Sequence, residues 1–199
     1  MNRPKIAIVD SGISPGHPHV GEISGGVSLT GTPDLFDRLG HGTAVAAAIQ
    51  QWAPQASLYV VKVFDRRLSA TIDALIQALE WCREERMDLV NLSLGTANPA
   101  HRDRFLPFVG SQPLIFSPTG TLPGSLPGII GVDADRDCPR GAYRHESGIF
   151  YASPYPRPIP GVPVERNLQG VSFAVANLTG LAAAARATSL NALMRKTTA

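Results

Sequence analysis

Excess charge is the first thing this sequence lacks. Its 199 residues carry 18 Lys and Arg against 16 Asp and Glu, a formal charge of +2. There is no Lys/Arg-rich block and no aromatic-basic stripe, so the electrostatic footprint of a nucleic-acid binder is missing. Cysteine is scarce: Cys82 and Cys138 make no disulfide framework. Both read as reduced structural thiols, Cys82 inside a helical pattern and Cys138 in a loop. Long apolar runs are lacking as well. After Arg3 and Lys5 only residues 6–9 are apolar before Asp10, short of the about 7–15 residues of a signal peptide. The uncharged stretch between Arg166 and Arg186 has the length of a membrane span, but Asn167, Gln169, Ser172, Asn177 and Thr179 make it too polar. It is expected to be a buried helix, and the protein to be cytoplasmic with no membrane partner.

What is present is an ordinary folded composition, 44% hydrophobic and 17% charged. The length suits one domain, residues 1–199, able to bury a core without disulfides or a structural metal. Lys5–Asp10 (KIAIVD) is an apolar run into Asp-Ser-Gly, a buried strand entering a turn. Residues 42–51 are alanine-rich and helical, and residues 57–64 (SLYVVKVF) are β-branched and aromatic, hence a strand. Ser69 or Thr71 can cap the next helix, in which Ile72, Leu75, Ile76 and Leu79 recur at i, i+3, i+4 and i+7. Residues 89–94, 114–116 and 129–133 read as strands, and residues 171–189 as one long helix. The proline-rich residues 153–163 are expected to form a fixed surface loop. Strands alternating with helices predict an α/β fold, a doubly wound, mostly parallel sheet with helices on both faces.

In such a sheet, ligands bind beyond the carboxyl ends of the strands. Three polar residues sit where that site would form: Asp10 ends the first strand, His41 opens a helix and Ser172 opens another. These residue types suit acyl transfer. A serine is a poor nucleophile until a histidine takes its proton, and a carboxylate holds the imidazole in the right tautomer. At a helix N-terminus, the Ser172 N–H and the helix dipole face a developing oxyanion. Taken singly, each motif is more often a turn or a helix cap.

The order Asp, His, Ser is that of the subtilisins, and the chain resembles that family from Ile6 to about Ala187. The carrying segments are IAIVDSGI (6–13), HGTAVAAAI (41–49), APQASLYVVKVF (53–64), ALEWCREERMDLVNLSLG (78–95), LPGSLPGIIGVDAD (122–135) and GVSFAVANLTGLAAA (170–184). In the last of these, Val171 and Phe173 replace the usual Thr and Met. By this resemblance Asp10 orients, His41 is general base and acid, and Ser172 is the nucleophile. Ser93, Leu94 and Gly95 would pair with the substrate backbone, and Leu68, Ser69 and Ala70 would form the opposite edge. An extended polypeptide would lie between them by strand addition. In that case the helix begins after Ser69.

Several departures matter. The family's oxyanion asparagine falls at Gly120-Thr121, and no asparagine occurs between Asn98 and Asn167. Thr121 is the candidate donor, with Ser117 or Thr119 as substitutes in a rearranged loop. Losing such a donor costs about 10²–10³ in turnover, so a slow enzyme is expected. The calcium-binding insertion after the histidine helix is missing, and His17-Pro18-His19 is the family's usual turn. No metal and no cofactor are therefore expected. The first strand starts at Lys5, which predicts that no prosequence is encoded. Ala176 replaces a proline that usually follows the nucleophile motif.

The resemblance implies a minimal subtilisin-type serine endopeptidase. Its expected partner is one polypeptide substrate, a precursor whose leader peptide is removed. Two alternatives stay open. An acyl-enzyme attacked by an amine makes a peptide ligase or macrocyclase, whose product lacks the mass of the added water. A degenerate oxyanion hole instead fits a non-catalytic peptide-binding module.

Overall fold

A computed structural model describes residues 3–194. An eight-stranded sheet comprises β1 (Lys5–Asp10), β2 (Ile23–Ser28), β3 (Ser57–Lys62), β4 (Leu89–Leu92), β5 (Leu114–Pro118), β6 (Ile130–Ala134), β7 (Tyr143–Glu146) and β8 (Ile149–Ala152). The strand order is β2-β3-β1-β4-β5-β6-β8-β7, parallel throughout except for the antiparallel β7–β8 hairpin at one edge. The helices are α1 (His41–Trp52), α2 (Ile72–Glu84), α3 (Arg102–Phe105), α4 (Val171–Ala184) and α5 (Leu190–Met194). No helix among the described residues is long and apolar enough to cross a membrane.

Alternation along the strands divides the core into two layers. Ile6 and Ile8 of β1 join Leu58, Val60 and Phe116 beneath α1 and α4. Ala7 and Val9 join Val61, Val90 and Ile115 beneath α2, where Leu75, Leu79 and Cys82 are buried. Burial on both faces is why these strands read as continuous apolar runs. Cys82 and Cys138 are free thiols, and burial pushes both thiol pKa values up.

The sequence-predicted elements reappear with shifted ends. β3 stops at Lys62 and β4 at Leu92, each two residues short of the expected run. Thr71 caps α2, accepting the Ala74 N–H at 3.2 Å, and Ser69 lies outside the helix. The single helix expected over residues 171–189 ends at Ala184. Arg186 turns left-handed (φ 51°), and the Ala187 N–H reaches back to the Ala182 carbonyl at 3.0 Å. Glycine normally marks that position, so an arginine there conceals the helix end. α2 ends in the same way, with Arg86 at φ 54° and Met87 N–H on the Cys82 carbonyl at 2.9 Å.

α1 and α4 cross closely. A Cβ on Gly180 would lie 2.7 Å from the Ile49 carbonyl oxygen and 3.1 Å from the Trp52 Cβ. Gly180→Ala is therefore expected to force the helices apart and cost about 1–3 kcal/mol. Urea denaturation of the variant beside the unmodified chain measures the loss.

Candidate active site

β1 ends in Asp10, whose side chain is fully buried at the carboxyl edge of the sheet. Its Oδ1 accepts the Ser11 N–H at 2.8 Å. The same carboxylate faces His41 Nδ1, at 2.8 Å from Oδ1 and 3.0 Å from Oδ2. His41 is the first residue of α1. The chain enters that helix through Gly40 at φ 77°, and Gly42 sits so close to the Gly12 carbonyl that no Cβ would fit. That contact lets the helix start directly against the end of β1.

Asp37 fixes the helix start, and the sequence reading passed over it. Its carboxylate is buried and accepts five hydrogen bonds: from Leu39 N–H (3.0 Å), Gly40 N–H (2.8 Å), Thr43 N–H (2.8 Å), Thr43 Oγ1–H (2.6 Å) and Ser11 Oγ–H (2.8 Å). Burial alone would raise the Asp37 pKa, but the Thr43, Ser11 and Leu39 donors lower it overall. The Ser11 hydroxyl oxygen in turn accepts the Gly42 N–H at 3.0 Å. Two of the unpaired N–H groups of the first turn are thus satisfied from outside the helix. The available signal was Asp-x-x-Gly directly before His41, the spacing of a carboxylate folding back on its own turn.

Ser172 lies in the first turn of α4. Its hydroxyl donates to the Ser93 carbonyl at 3.2 Å, and the Ser93 hydroxyl donates to the Ser172 carbonyl at 3.3 Å. Asn91 Nδ2 donates to Ser93 Oγ at 2.8 Å, and the Thr179 hydroxyl donates to Asn91 Oδ1 at 3.2 Å. The end of β4 is thereby tied to the serine turn, a role for Asn91 that its burial in an apolar strand had concealed. Phe173 lies against the His41 ring, centroids 5.6 Å apart. Its aromatic side chain thus packs against the imidazole that Asp10 holds.

The two predicted substrate edges face one another. Leu68, Ser69 and Ala70 line a cavity of about 260 Å³ together with Leu94 and Gly95. Thr121 stands on the far side of Gly95, touching it so closely that a Cβ there would collide with the Thr121 hydroxyl. That hydroxyl makes a long 3.4 Å hydrogen bond to the Pro118 carbonyl. Thr96 and Leu122 exchange two backbone hydrogen bonds of 2.9 Å, fastening the Thr121 loop to the end of the β4 segment. Ser117 is buried and donates to the Leu94 carbonyl at 3.4 Å. The Thr119 N–H is taken by the Val132 carbonyl at 3.0 Å.

For His41, burial favours the neutral ring, but the Asp10 hydrogen bond and the charges of Asp10 and Asp37 outweigh it. The net pKa lies above the ordinary 6.5. The protonated ring therefore stabilises the fold fully below pH 6.5, and this contribution is lost as pH rises through the folded value. Asp10→Asn is expected to lower the His41 pKa, because burial stays while the neighbouring charge goes. NMR titration of the imidazole C–H signals in both proteins reads the change.

Residues 2–126 match the family described as "Subtilase family". The chain is 30% identical over 202 residues to Subtilisin E of Bacillus subtilis (strain 168), covering 89% of this chain and 52% of that protein. It is 40% identical over 106 residues to Subtilisin Savinase of Lederbergia lenta, 48% of this chain and 39% of that protein. Minor extracellular protease Epr of Bacillus subtilis (strain 168) is 39% identical over 103 residues, 47% of this chain and 16% of that protein. The chain thus spans at most about half the length of these relatives. Among solved structures, a lanthipeptide protease superposes with a TM-score of 0.68 at 19% identity, over 92% of this chain and 73% of that one. The prenylagaramide maturation protease PagA gives 0.65 at 21% identity, over 91% and 74%. These two share the fold. Sequence and architecture agree, and the chain belongs to the subtilase family.

Proposed function

We propose that this protein is a subtilisin-type serine endopeptidase that cleaves a leader from a precursor polypeptide. The observation that carries the reading is the buried Asp10 carboxylate on His41 Nδ1 at 2.8 Å, with Phe173, the neighbour of Ser172, packed on the same imidazole and the Ser172 hydroxyl on the Ser93 carbonyl. In this reading Ser172 Oγ attacks the scissile carbonyl while His41 takes its proton. His41 then protonates the leaving amine, the C–N bond breaks, and water hydrolyses the acyl-enzyme with His41 again acting as base. Asp10 holds the ring and stabilises its protonated form.

The resting Ser172 proton points at the Ser93 carbonyl. A substrate N–H pairing with that carbonyl would compete for the same acceptor and free the hydroxyl to turn toward His41. Substrate binding thus helps to assemble the nucleophile, which suits an enzyme selective for one polypeptide. Thr121 would supply the oxyanion donor once its hydroxyl leaves the long bond to Pro118, assisted by the Ser172 N–H at the start of α4.

Precursor processing is supported by the fold shared with a lanthipeptide protease and a prenylagaramide maturation protease. The missing oxyanion asparagine and calcium insertion are further support, since they suit a slow and demanding enzyme. In character the chain is similar to the leader-peptide protease of quinohemoprotein amine dehydrogenase biogenesis, and the γ-subunit precursor of that enzyme is a substrate of the proposed kind. The expected location is the cytoplasm.

Exposure to a fluorophosphonate probe, read by intact mass, tests the nucleophile. One label per chain is expected, none in Ser172→Ala and little in His41→Ala. An unlabelled wild-type chain, with and without candidate precursor peptides, would point to a peptide-binding module instead. Thr121→Val, which keeps the shape and removes the hydroxyl, is expected to lower turnover about 10²–10³-fold with little change in substrate binding. Steady-state kinetics on a cleaved peptide measures both.

A further inference from the structure

A second cavity, of about 590 Å³, reaches the start of α1 at Gly40 and Thr43, on either side of His41 in the chain. The turn after β1, the start of α1 and the proline-rich segment before α4 enclose it, and Gly40 and Leu168 both line it. Gly40 adjoins His41, and Leu168 lies four residues before Ser172. None of residues 68–70 or 93–95 contributes, so this space is separate from the groove between the two edges.

Its lining is apolar with one sign of charge. His17, His19 and Arg157 face it, and no Asp or Glu lines it. The guanidinium of Arg157 donates to the His19 carbonyl at 3.1 Å and enters no ion pair with a described carboxylate. Behind it, Arg140 is also without a carboxylate among the described residues. It donates to Gln51 Oε1 at 2.7 Å and to the Tyr155 carbonyl at 3.2 Å, and lies over the Trp52 ring. Burial, Arg157 and His17 together lower the His19 pKa, and Arg157 adds to burial in lowering that of Arg140. This corner therefore holds uncompensated positive charge in partly desolvated surroundings, which a carboxylate would relieve. At the rim, Ile159 and Leu168 are about half exposed, leaving apolar surface for a neighbouring side chain.

We propose that this cavity is a second substrate-binding site, which takes an acidic side chain beside an apolar one on the leaving-group side of the scissile bond. The inference rests on the protease reading for its direction. In that reading His41 hands its proton to the departing amine, so the departing chain leaves past His41. The acyl side lies between residues 68–70 and 93–95. Arg157 is the specificity-determining residue, its planar fork matched to a carboxylate.

The test uses the full chain carrying Ser172→Ala, so that binding is read without turnover. Short fluorescein-labelled Gly/Ala peptides differ only in a Glu-Leu-Glu or a Gln-Leu-Gln segment, and affinity is followed by anisotropy. The Glu peptide is expected to bind about tenfold more tightly. Adding Arg157→Gln should remove that preference, and adding Arg157→Glu should transfer it to a Lys-Leu-Lys peptide. A second reading needs no change at residue 157: saturating Glu peptide should raise the His19 pKa in the NMR titration, and the Gln peptide should not. Equal affinities for the Glu and Gln peptides, a preference that survives Arg157→Gln, or a His19 titration unmoved by the Glu peptide overturns the proposal. The two readings fail separately. Failed fluorophosphonate labelling with the Glu preference intact removes the protease and leaves the site, whereas Ser172-dependent cleavage of both peptides without preference removes the site alone.

Discussion

A buried carboxylate with five donors around it holds the candidate site together. Asp37 joins the turn after β1 through Ser11, the approach to α1 through Leu39 and Gly40, and the helix itself through Thr43. A buried charge is tolerated only where its lone pairs are met, and the surrounding backbone has one arrangement that meets them all. That arrangement sets the position of His41 relative to Asp10. The precision of the imidazole–carboxylate contact is inherited from a neighbour that touches neither ring nor substrate groove.

The segment carrying Asp37 is itself held by charge. Lys62, at the end of β3, is fully buried, its ammonium 3.0 Å from the Phe36 carbonyl, 3.1 Å from Asp65 and 3.3 Å from Asp34. Arg38 bridges the same two carboxylates from the outer side, at 2.9 and 3.0 Å. A long cationic stem from the sheet therefore reaches the loop before α1 and holds the side preceding Asp37, while Arg38 holds the side that follows it. The chain of dependence runs from an apolar parallel sheet, through one buried lysine, to a capped helix and its first residue.

Much of this was legible in the sequence where chemistry and periodicity coincide. β1, β4 and β5 are buried on both faces and stand out as apolar runs. Asp10, His41 and Ser172 stand at element boundaries, where the sheet geometry leads one to look. Other features are hidden for definite reasons. Gly25 and Gly26 interrupt the side-chain pattern of β2 between Ile23 and Val27, although its backbone pairs with β3 through an irregular register. The β7–β8 hairpin turns at Ser147-Gly148, both at positive φ, but the charges of Arg144 and Glu146 mask its apolar alternation. Asn91 looks like an ordinary polar residue because its Thr179 partner lies 88 residues away, and Asp37 because its local Asp-x-x-Gly signal is that of any turn while its Ser11 partner comes from another segment.

The sheet margins carry a consequence of their own. A protein that accepts a guest chain as an added strand must stop every other strand from accepting one, or it would assemble with copies of itself. Here the β2 margin is broken in register, and β7 is four residues long with Arg144 and Glu146 exposed. Both margins of the sheet are thereby poor templates for a further strand, which on the proposed reading leaves the groove between residues 68–70 and 94–95 as the place where a guest chain pairs.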